Sequence, residues 1–266
     1  MTATLTVRPG HRLSGTASVP GDKSISHRAL ILGALADGEN VIENWLVAGD
    51  TLATLGALEA LGVEIERRDG RLRFRGGALS PPPAPVDCAN AGTAMRLLAG
   101  LLAGQPFASV LDGSEQLRRR PMRRVVKPLR RMGADIEDTD GRAPLRIRPA
   151  HLTGLEHRPE VASAQVKSAI LLAGWHAEGV TTVIEPGPSR DHTERMLRAM
   201  GAPLTVEGRR VTLGAERPRL APLHLRVPGD FSSAAFLIVA AALLPGSDVR
   251  ITGVGLNPTR TGLLDA

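Results

Sequence analysis

The sequence predicts an α/β fold of repeated β-α-β-α-β-β units, three complete and one partial, closing into an inside-out α/β barrel domain with buried parallel helices. Two patterns predict it. Three times, about 70 residues apart, an apolar helix ends in Gly before a charged turn: LEALGVEIERRDGRLRF (58–74), LRRMGADIEDTDGRAPLRI (129–147) and LRAMGAPLTVEGRRVTL (197–213). Four times a small polar cluster leads into about ten nearly all-apolar residues, a Gly and a strand-like run, at 21–43, 89–111, 162–185 and 229–251. A fixed period means that one supersecondary unit is repeated, with neighbouring copies burying the face that a single copy leaves open.

The first unit opens with a helix at about 28–36 that is apolar on nearly all sides, the pattern of a buried helix. A helix at about 51–61 mixes charge with apolar positions at helical spacing, as an amphipathic surface helix does. Asp69-Gly70 then separates two alternating runs and predicts a two-residue hairpin turn. PPPAP (81–85) is a stiff loop leading into the second unit. There the helices fall at about 94–103 and 121–132, and Asp140-Gly141 repeats the turn. The third unit places its helices at about 166–177 and 191–200. PRLAP (218–222) marks a boundary, because a fourth unit starts beyond it with an apolar helix at about 233–243.

Three units in a ring put their strands outside and their apolar helices inside. Residues 16–225 are therefore expected to form one complete three-unit domain, and 1–15 with 226–266 part of a second, truncated one. The fourth helix-Gly element is expected about twelve residues after Asn257, beyond Ala266. Helix 233–243 should consequently carry apolar surface short of partners.

With 42% hydrophobic residues in 266, the chain has ample material for a core. No apolar run reaches 18 residues and MTATLTVRPGHRL has no apolar h-region, so a soluble, cytoplasmic chain without signal peptide or membrane span is expected. Cys88 stands alone, which excludes an internal disulfide, suits a reducing compartment and reads as a small buried filler. A net charge of +6, mostly from Arg, fits either a nucleic-acid surface or a cleft for acidic small molecules. Only 2% of residues are aromatic and none is Tyr, so platforms for stacking bases are scarce, which favours the cleft.

The polar clusters sit where the buried helices begin. If the units share an orientation, unpaired N–H groups and positive dipole ends converge at one end of the domain and bind anions, phosphate above all. In the first cluster Lys23 offers a point charge, Ser24 a hydroxyl and Arg28 a fork for carboxylate or phosphate. Capping by Ser24 or Ser26 with two solvated cations is the plainer alternative. In the second, Asn90-Ala91-Gly92-Thr93 is a turn in which Gly92 lets backbone approach a ligand, while Arg96 reads equally as a structural ion-pair partner. The third, Ser163-Ala164-Gln165-Val166-Lys167-Ser168, supplies hydroxyls, an amide and a Lys; an ammonium in so apolar a helix either snorkels or meets a ligand. Second-helix starts add Arg120, thirteen residues before Gly133, and Ser189-Arg190, twelve and eleven before Gly201. Neither a metal-ligand spacing nor a P-loop is present, and no cofactor is expected. His192 is the most site-like of the seven His residues, yet reads more readily as structural, and Asp50, Asp191 and Asp230 all fit as helix caps. A pocket for at least two anionic groups is legible; the groups that would move protons are not.

GDKSISHRA, NAGTAMR, RRRP, SAQVKSAILLAG, RDHTE, PGDFSSAAF and NPTRTG, in this order from about Leu13 onward, closely resemble the 3-phosphoshikimate 1-carboxyvinyltransferase (EPSP synthase) family of enolpyruvyl transferases. The resemblance implies transfer of the enolpyruvyl group of phosphoenolpyruvate to the 5-hydroxyl of shikimate 3-phosphate, releasing phosphate through a tetrahedral intermediate, in the pathway to aromatic amino acids. It implies that Lys23 is catalytic and contacts both substrates. Ser24, Arg28, Ser163, Ala164 and Ser189 or Arg190 would hold shikimate 3-phosphate, Gly92 and Arg120 phosphoenolpyruvate, and Gln165 both. Many members carry Ser-Ser-Gln where this chain has Ser163-Ala164-Gln165, so one hydroxyl is absent and Arg190 compensates. The family includes glyphosate targets, and its members are two-domain proteins, expected to be monomeric at full length, with the site in the cleft between domains. The family's catalytic Asp and Lys-Glu pair are expected beyond Ala266, which leaves a binding-only fragment as an alternative. UDP-N-acetylglucosamine 1-carboxyvinyltransferase shares the repeat but carries Lys-Asn where this chain has Lys23-Ser24, and its loop Cys would fall at Glu115.

Overall fold

The computed structural model describes residues 10–266, which form two compact units: Lys23–Val227, and 10–22 together with Pro228–Ala266. Residues 1–9 of the expected second domain lie outside the described residues.

In the larger unit the repeat is realised three times. The first copy runs α1 (Lys23–Leu35), β2 (Gly38–Glu43), α2 (Gly49–Ala60), β3 (Ile65–Arg68) and β4 (Arg71–Gly76), after a strand β1 (Ser14–Ser18) of the smaller unit. The second is β5 (Val86–Asp87), α3 (Gly92–Leu102), β6 (Ser109–Asp112), a one-turn α4 (Glu115–Arg118), α5 (Arg123–Arg131), β7 (Asp135–Thr139) and β8 (Arg142–Arg148). The third is β9 (Glu156–His157), α6 (Ala164–Gly174), β10 (Thr181–Ile184), α7 (His192–Ala199), β11 (Leu204–Glu207) and β12 (Arg210–Leu213), and β13 (His224–Arg226) follows. Each copy folds its strands into a four-stranded sheet, in the orders β13-β2-β4-β3, β5-β6-β8-β7 and β9-β10-β12-β11.

The expected boundary at residue 16 is displaced. β1 straddles it and pairs in parallel with β14 (Asp248–Thr252) in the smaller unit. The edge strand that the first sheet needs comes instead from β13, which pairs in parallel with β2. Buried Asn40 fastens this closure. Its amide donates to Gly33 O (2.9 Å) and its Oδ1 accepts from Leu223 N–H (2.8 Å), so the end of the third copy is tied to the start of the first.

The hairpins follow the turn chemistry. Asp69 and Gly70 have φ of 50° and 72°, Asp140 and Gly141 φ of 52° and 77°, the two positive angles that a tight two-residue turn between twisted strands requires. Inside, α1, α3 and α6 are buried along almost their whole length. Two of them touch at backbone distance, for a Cβ on Gly100 would lie 2.1 Å from the carbonyl oxygen of Ala169. Cys88 is fully buried, and burial, then Asp87 and Asp112, push its thiol up to about 12, so it packs as an inert filler.

The smaller unit contains β1, β14, α8 (Phe231–Leu243) and a terminal 3₁₀ turn (Gly262–Asp265). Asp230 caps α8 by accepting from Ser232 N–H (2.8 Å). Although α8 has the apolar composition of α1, α3 and α6, only Phe231 and Ala234 are buried in it, and Phe236 is 80% and Leu243 74% exposed.

Candidate functional site

The buried helices begin about two to five residues earlier than their apolar runs, so the polar clusters form the first turns themselves. Side-chain bonds between clusters place those turns side by side. Gln165, in the first turn of α6, donates to Thr93 Oγ1 in the first turn of α3 (2.8 Å) and accepts from Arg96 Nη1 (2.9 Å). Arg190, just ahead of α7, donates to Ser24 Oγ in the first turn of α1 (3.1 Å). Arg28 lies only 2% exposed and joins α1 to both other elements, donating to Thr193 Oγ1 (2.7 Å), Ser168 Oγ (2.8 Å) and Ser24 O (3.0 Å). The first turns and positive dipole ends of α1, α3 and α6 therefore face one region, which favours anions.

Around α3 the charge is unbalanced. Gly92 is the first residue of the helix, and a Cβ on it would stand 2.9 Å from Arg96 Nη1 and 3.1 Å from Arg120 Nη1. Glycine at this point is what lets two guanidiniums close over the backbone. Arg96 Nη2 also donates to Pro121 O (3.1 Å), and Arg120 Nη2 to Asn90 Oδ1 (3.3 Å). Among the ion pairs of the described residues none involves Arg96, Arg120 or Arg124. Burial, then Arg120, then Arg124 hold Arg96 below the ordinary arginine range. A bound anion relieves both repulsions.

Around α1 the groups are smaller. Lys23 Nζ is about half exposed and meets Asp50 Oδ2 at 3.1 Å. Ser189 Oγ is buried without a hydrogen-bond partner, next in sequence to Arg190. Ser163 caps α6 by accepting from Val166 N–H (3.4 Å), and Ala164 is the first residue of that helix. Lys23, Ser24, Arg28 and Arg190 are thus gathered at α1 and α7, and Gly92, Arg120 and Gln165 at α3 and α6.

Lys167 neither snorkels nor faces this region. It is 2% exposed and bound to Glu185 Oε2 (2.6 Å) and Glu194 Oε1 (2.5 Å), both buried. Burial raises the Glu194 carboxyl; Lys167 opposes the shift without cancelling it, and the charge of Glu185 adds slightly to the rise. Of the three expected caps only Asp230 bonds its helix N-terminus. Asp50 lies inside α2 and holds Lys23, and Asp191 Oδ2 accepts from Arg195 Nε (2.7 Å). Arg96, open between ion pair and site in the sequence, makes hydrogen bonds over Gly92, a placement signalled by its four-residue spacing on one helix face. Ser168 lies in the third polar cluster and Thr193 in RDHTE, yet nothing in the sequence connects either to Arg28.

No group of three or more His, Cys, Asp or Glu side chains among the described residues is placed to hold a metal ion, and no described helix is long and apolar enough to cross a membrane. The sequence pattern of EPSP synthase (3-phosphoshikimate 1-carboxyvinyltransferase) matches residues 7–266. The chain belongs to the EPSP synthase family. Its 3-phosphoshikimate 1-carboxyvinyltransferase relative from Acidithiobacillus ferrooxidans is 54% identical over 263 residues, covering 97% of this chain and 60% of the relative. The relative of that name from Thermus thermophilus is 56% identical over 257 residues, covering 95% and 60%. Among solved structures, EPSP synthase from Acinetobacter baumannii superposes with a TM-score of 0.90 at 45% identity, over 97% of this chain and 59% of that one. The chain thus spans about 60% of the length of the EPSP synthases it matches.

Proposed function

We propose that the region at the starts of α1, α3 and α6 serves the transfer of the enolpyruvyl group from phosphoenolpyruvate to the 5-hydroxyl of shikimate 3-phosphate, with release of phosphate. The observation that carries this reading is the pair of guanidiniums closed over Gly92 beside Gln165, next to a second polar group formed by Ser24 and Arg190. Two anionic molecules then lie side by side, as a transfer between them requires.

In this reading Arg120 and the Gly92 backbone hold phosphoenolpyruvate, and Gln165 orients both molecules. Ser24, Arg28, Ser163, Ala164, Ser189 and Arg190 receive shikimate 3-phosphate, with Arg28 as the guanidinium that also locks α1 to α6 and α7. Lys23, held by Asp50, touches both and is the candidate catalytic residue. Positive charge placed ahead of reaction stabilises the charge that develops on the phosphate leaving group. Small anions are its only proposed partners, and the whole protein is proposed to act as a cytoplasmic monomer, which fractionation with sedimentation checks. A second reading, binding without turnover, is favoured by the chain's span of about 60% of its relatives.

Calorimetric titration with shikimate 3-phosphate tests the common ground. Binding is expected, weakened about tenfold by Arg190→Ala, since a charge-assisted hydrogen bond contributes about 1.5–3 kcal/mol. Absence of binding at millimolar ligand sinks both readings. Phosphate release on adding phosphoenolpyruvate separates them: turnover supports transfer, and binding alone supports the second.

A further inference from the structure

Helix α5 carries Arg123, Lys127 and Arg131 at four-residue spacing, on one stripe, with Arg124 beside them. Together with Pro128, the 157–161 segment and Val166 they line a cleft of about 340 Å³. Among the ion pairs of the described residues none involves these four cations. Arg158 pairs with Glu156 (3.0 Å), and Glu160 is the one carboxylate in the lining. On the opposite flank of α5, Asp138 is taken by Arg130 (3.0 Å) and the Gly141 N–H. Like charges four residues apart repel, so a stripe of this kind is costly unless an anion answers it. Its effect reaches His157, whose Nδ1 is 3.5 Å from Arg131 Nη1. Burial, then Arg131 and Lys127, hold that imidazole below its ordinary range. Pro128, Pro159, Val161 and Val166 supply the apolar part of the lining, and His157 is its one ring, with no Phe, Tyr or Trp beside it.

We propose that this cleft is a second binding site, for a small aliphatic polyanion such as a sugar bisphosphate or a polycarboxylate. Two or more anionic groups meet the stripe, and the frame between them rests on the apolar part of the lining. A nucleotide is disfavoured because no Phe, Tyr or Trp offers its base a broad stacking face, and the His157 ring already sits against Arg131. Apart from Val166, in the first turn of α6, the site is lined by residues other than those at the starts of α1, α3 and α6, although the charge of Arg124 also reaches Arg96.

Titration of the full chain at about 0.1 M salt, where exposed charges are screened beyond about 10 Å, uses fructose 1,6-bisphosphate, citrate, ADP and inorganic phosphate as probes. Fructose bisphosphate or citrate is expected to bind at least about tenfold more tightly than ADP or phosphate, and which of the two binds identifies the source. Lys127→Glu with Arg131→Glu should weaken that binding about tenfold or more, and Arg120→Ala should leave it. Failure of all probes, equal binding of ADP, or sensitivity to Arg120→Ala alone overturns the proposal. His157 supplies a readout in the unaltered chain. The charges of Lys127 and Arg131 of α5 act on it, and Arg158 and Glu160 of its own segment share the cleft lining with it, while Glu156 pairs with Arg158 and Arg210. A bound polyanion offsets the two α5 cations and moves its proton NMR titration upward; an unmoved titration on saturation counts equally against the site.

Discussion

Gly92 occupies a point where any side chain competes with two guanidiniums. A methyl placed 2.9 Å from Arg96 Nη1 and 3.1 Å from Arg120 Nη1 meets the ends of flexible side chains, so the guanidiniums shift rather than the backbone. The expected outcome for Gly92→Ala is phosphoenolpyruvate binding weakened about tenfold, in line with about 1–3 kcal/mol for overpacking, with shikimate 3-phosphate binding unchanged. Parallel titrations with the two ligands check it, and an equal loss for both points to general damage. Arg120 and Ser189-Arg190 stand out in the sequence because the repeat sets them at matching offsets from a landmark glycine, and Gly92 because it lies in the polar turn ahead of a buried helix. Lys167 was not. Its partners Glu185 and Glu194 lie in the segment after β10 and in α7, and no local pattern connects them to α6.

At the scale of elements, contact between α3 and α6 depends on Gly100, whose missing Cβ would fall 2.1 Å from Ala169 O, a backbone atom with no freedom to turn aside. Gly100→Ala is expected to drive the two helices apart and destabilise the chain by about 1–3 kcal/mol. Gly56 offers the opposite case on the exposed side of α2, where a Cβ meets nothing within 4 Å. There the same substitution should stabilise by about 0.5–1 kcal/mol through helix propensity. Urea denaturation of the two variants decides the matter, and shifts of the same sign contradict the packing argument. Elements with local signals were read well: buried helices from continuous apolar runs, surface helices from mixed ones, hairpins from Asp-Gly. Their starts were read late, because polar residues in a first turn look like loop until the neighbouring helix starts that bond them are in view. The origin of the first sheet's edge strand was beyond reach, since β13 and β2 are about 180 residues apart and only ring closure pairs them.

For the molecule as a whole, stability against pH is set by groups whose affinity for protons changes on folding. His27 is fully buried, with Nδ1 2.6 Å from Thr54 Oγ1. Burial lowers it to about 4, with Asp50 opposing and Arg28 and Lys23 adding. Burial, then Arg217, lowers His176 to about 4 as well. Both lie in the Lys23–Val227 unit. Between pH 6.5 and about 4 the unfolded chain takes up two protons that the folded chain refuses. Stability is therefore full above pH 6.5 and falls as pH is lowered, by up to about 1.4 kcal/mol per pH unit for each imidazole. Glu194 acts in the other sense. Its raised affinity lets the folded state take a proton first, which relieves the crowding of two carboxylates around Lys167 as pH falls. Three lowered imidazoles, His157 included, against one raised carboxyl leave a net loss. Urea midpoints followed by Trp45 and Trp175 fluorescence should drop from pH 7 to pH 5, and His176→Gln should flatten the slope by about one proton's worth. A midpoint that holds or rises over that interval would mean that Glu194, rather than the buried imidazoles, governs the acid side.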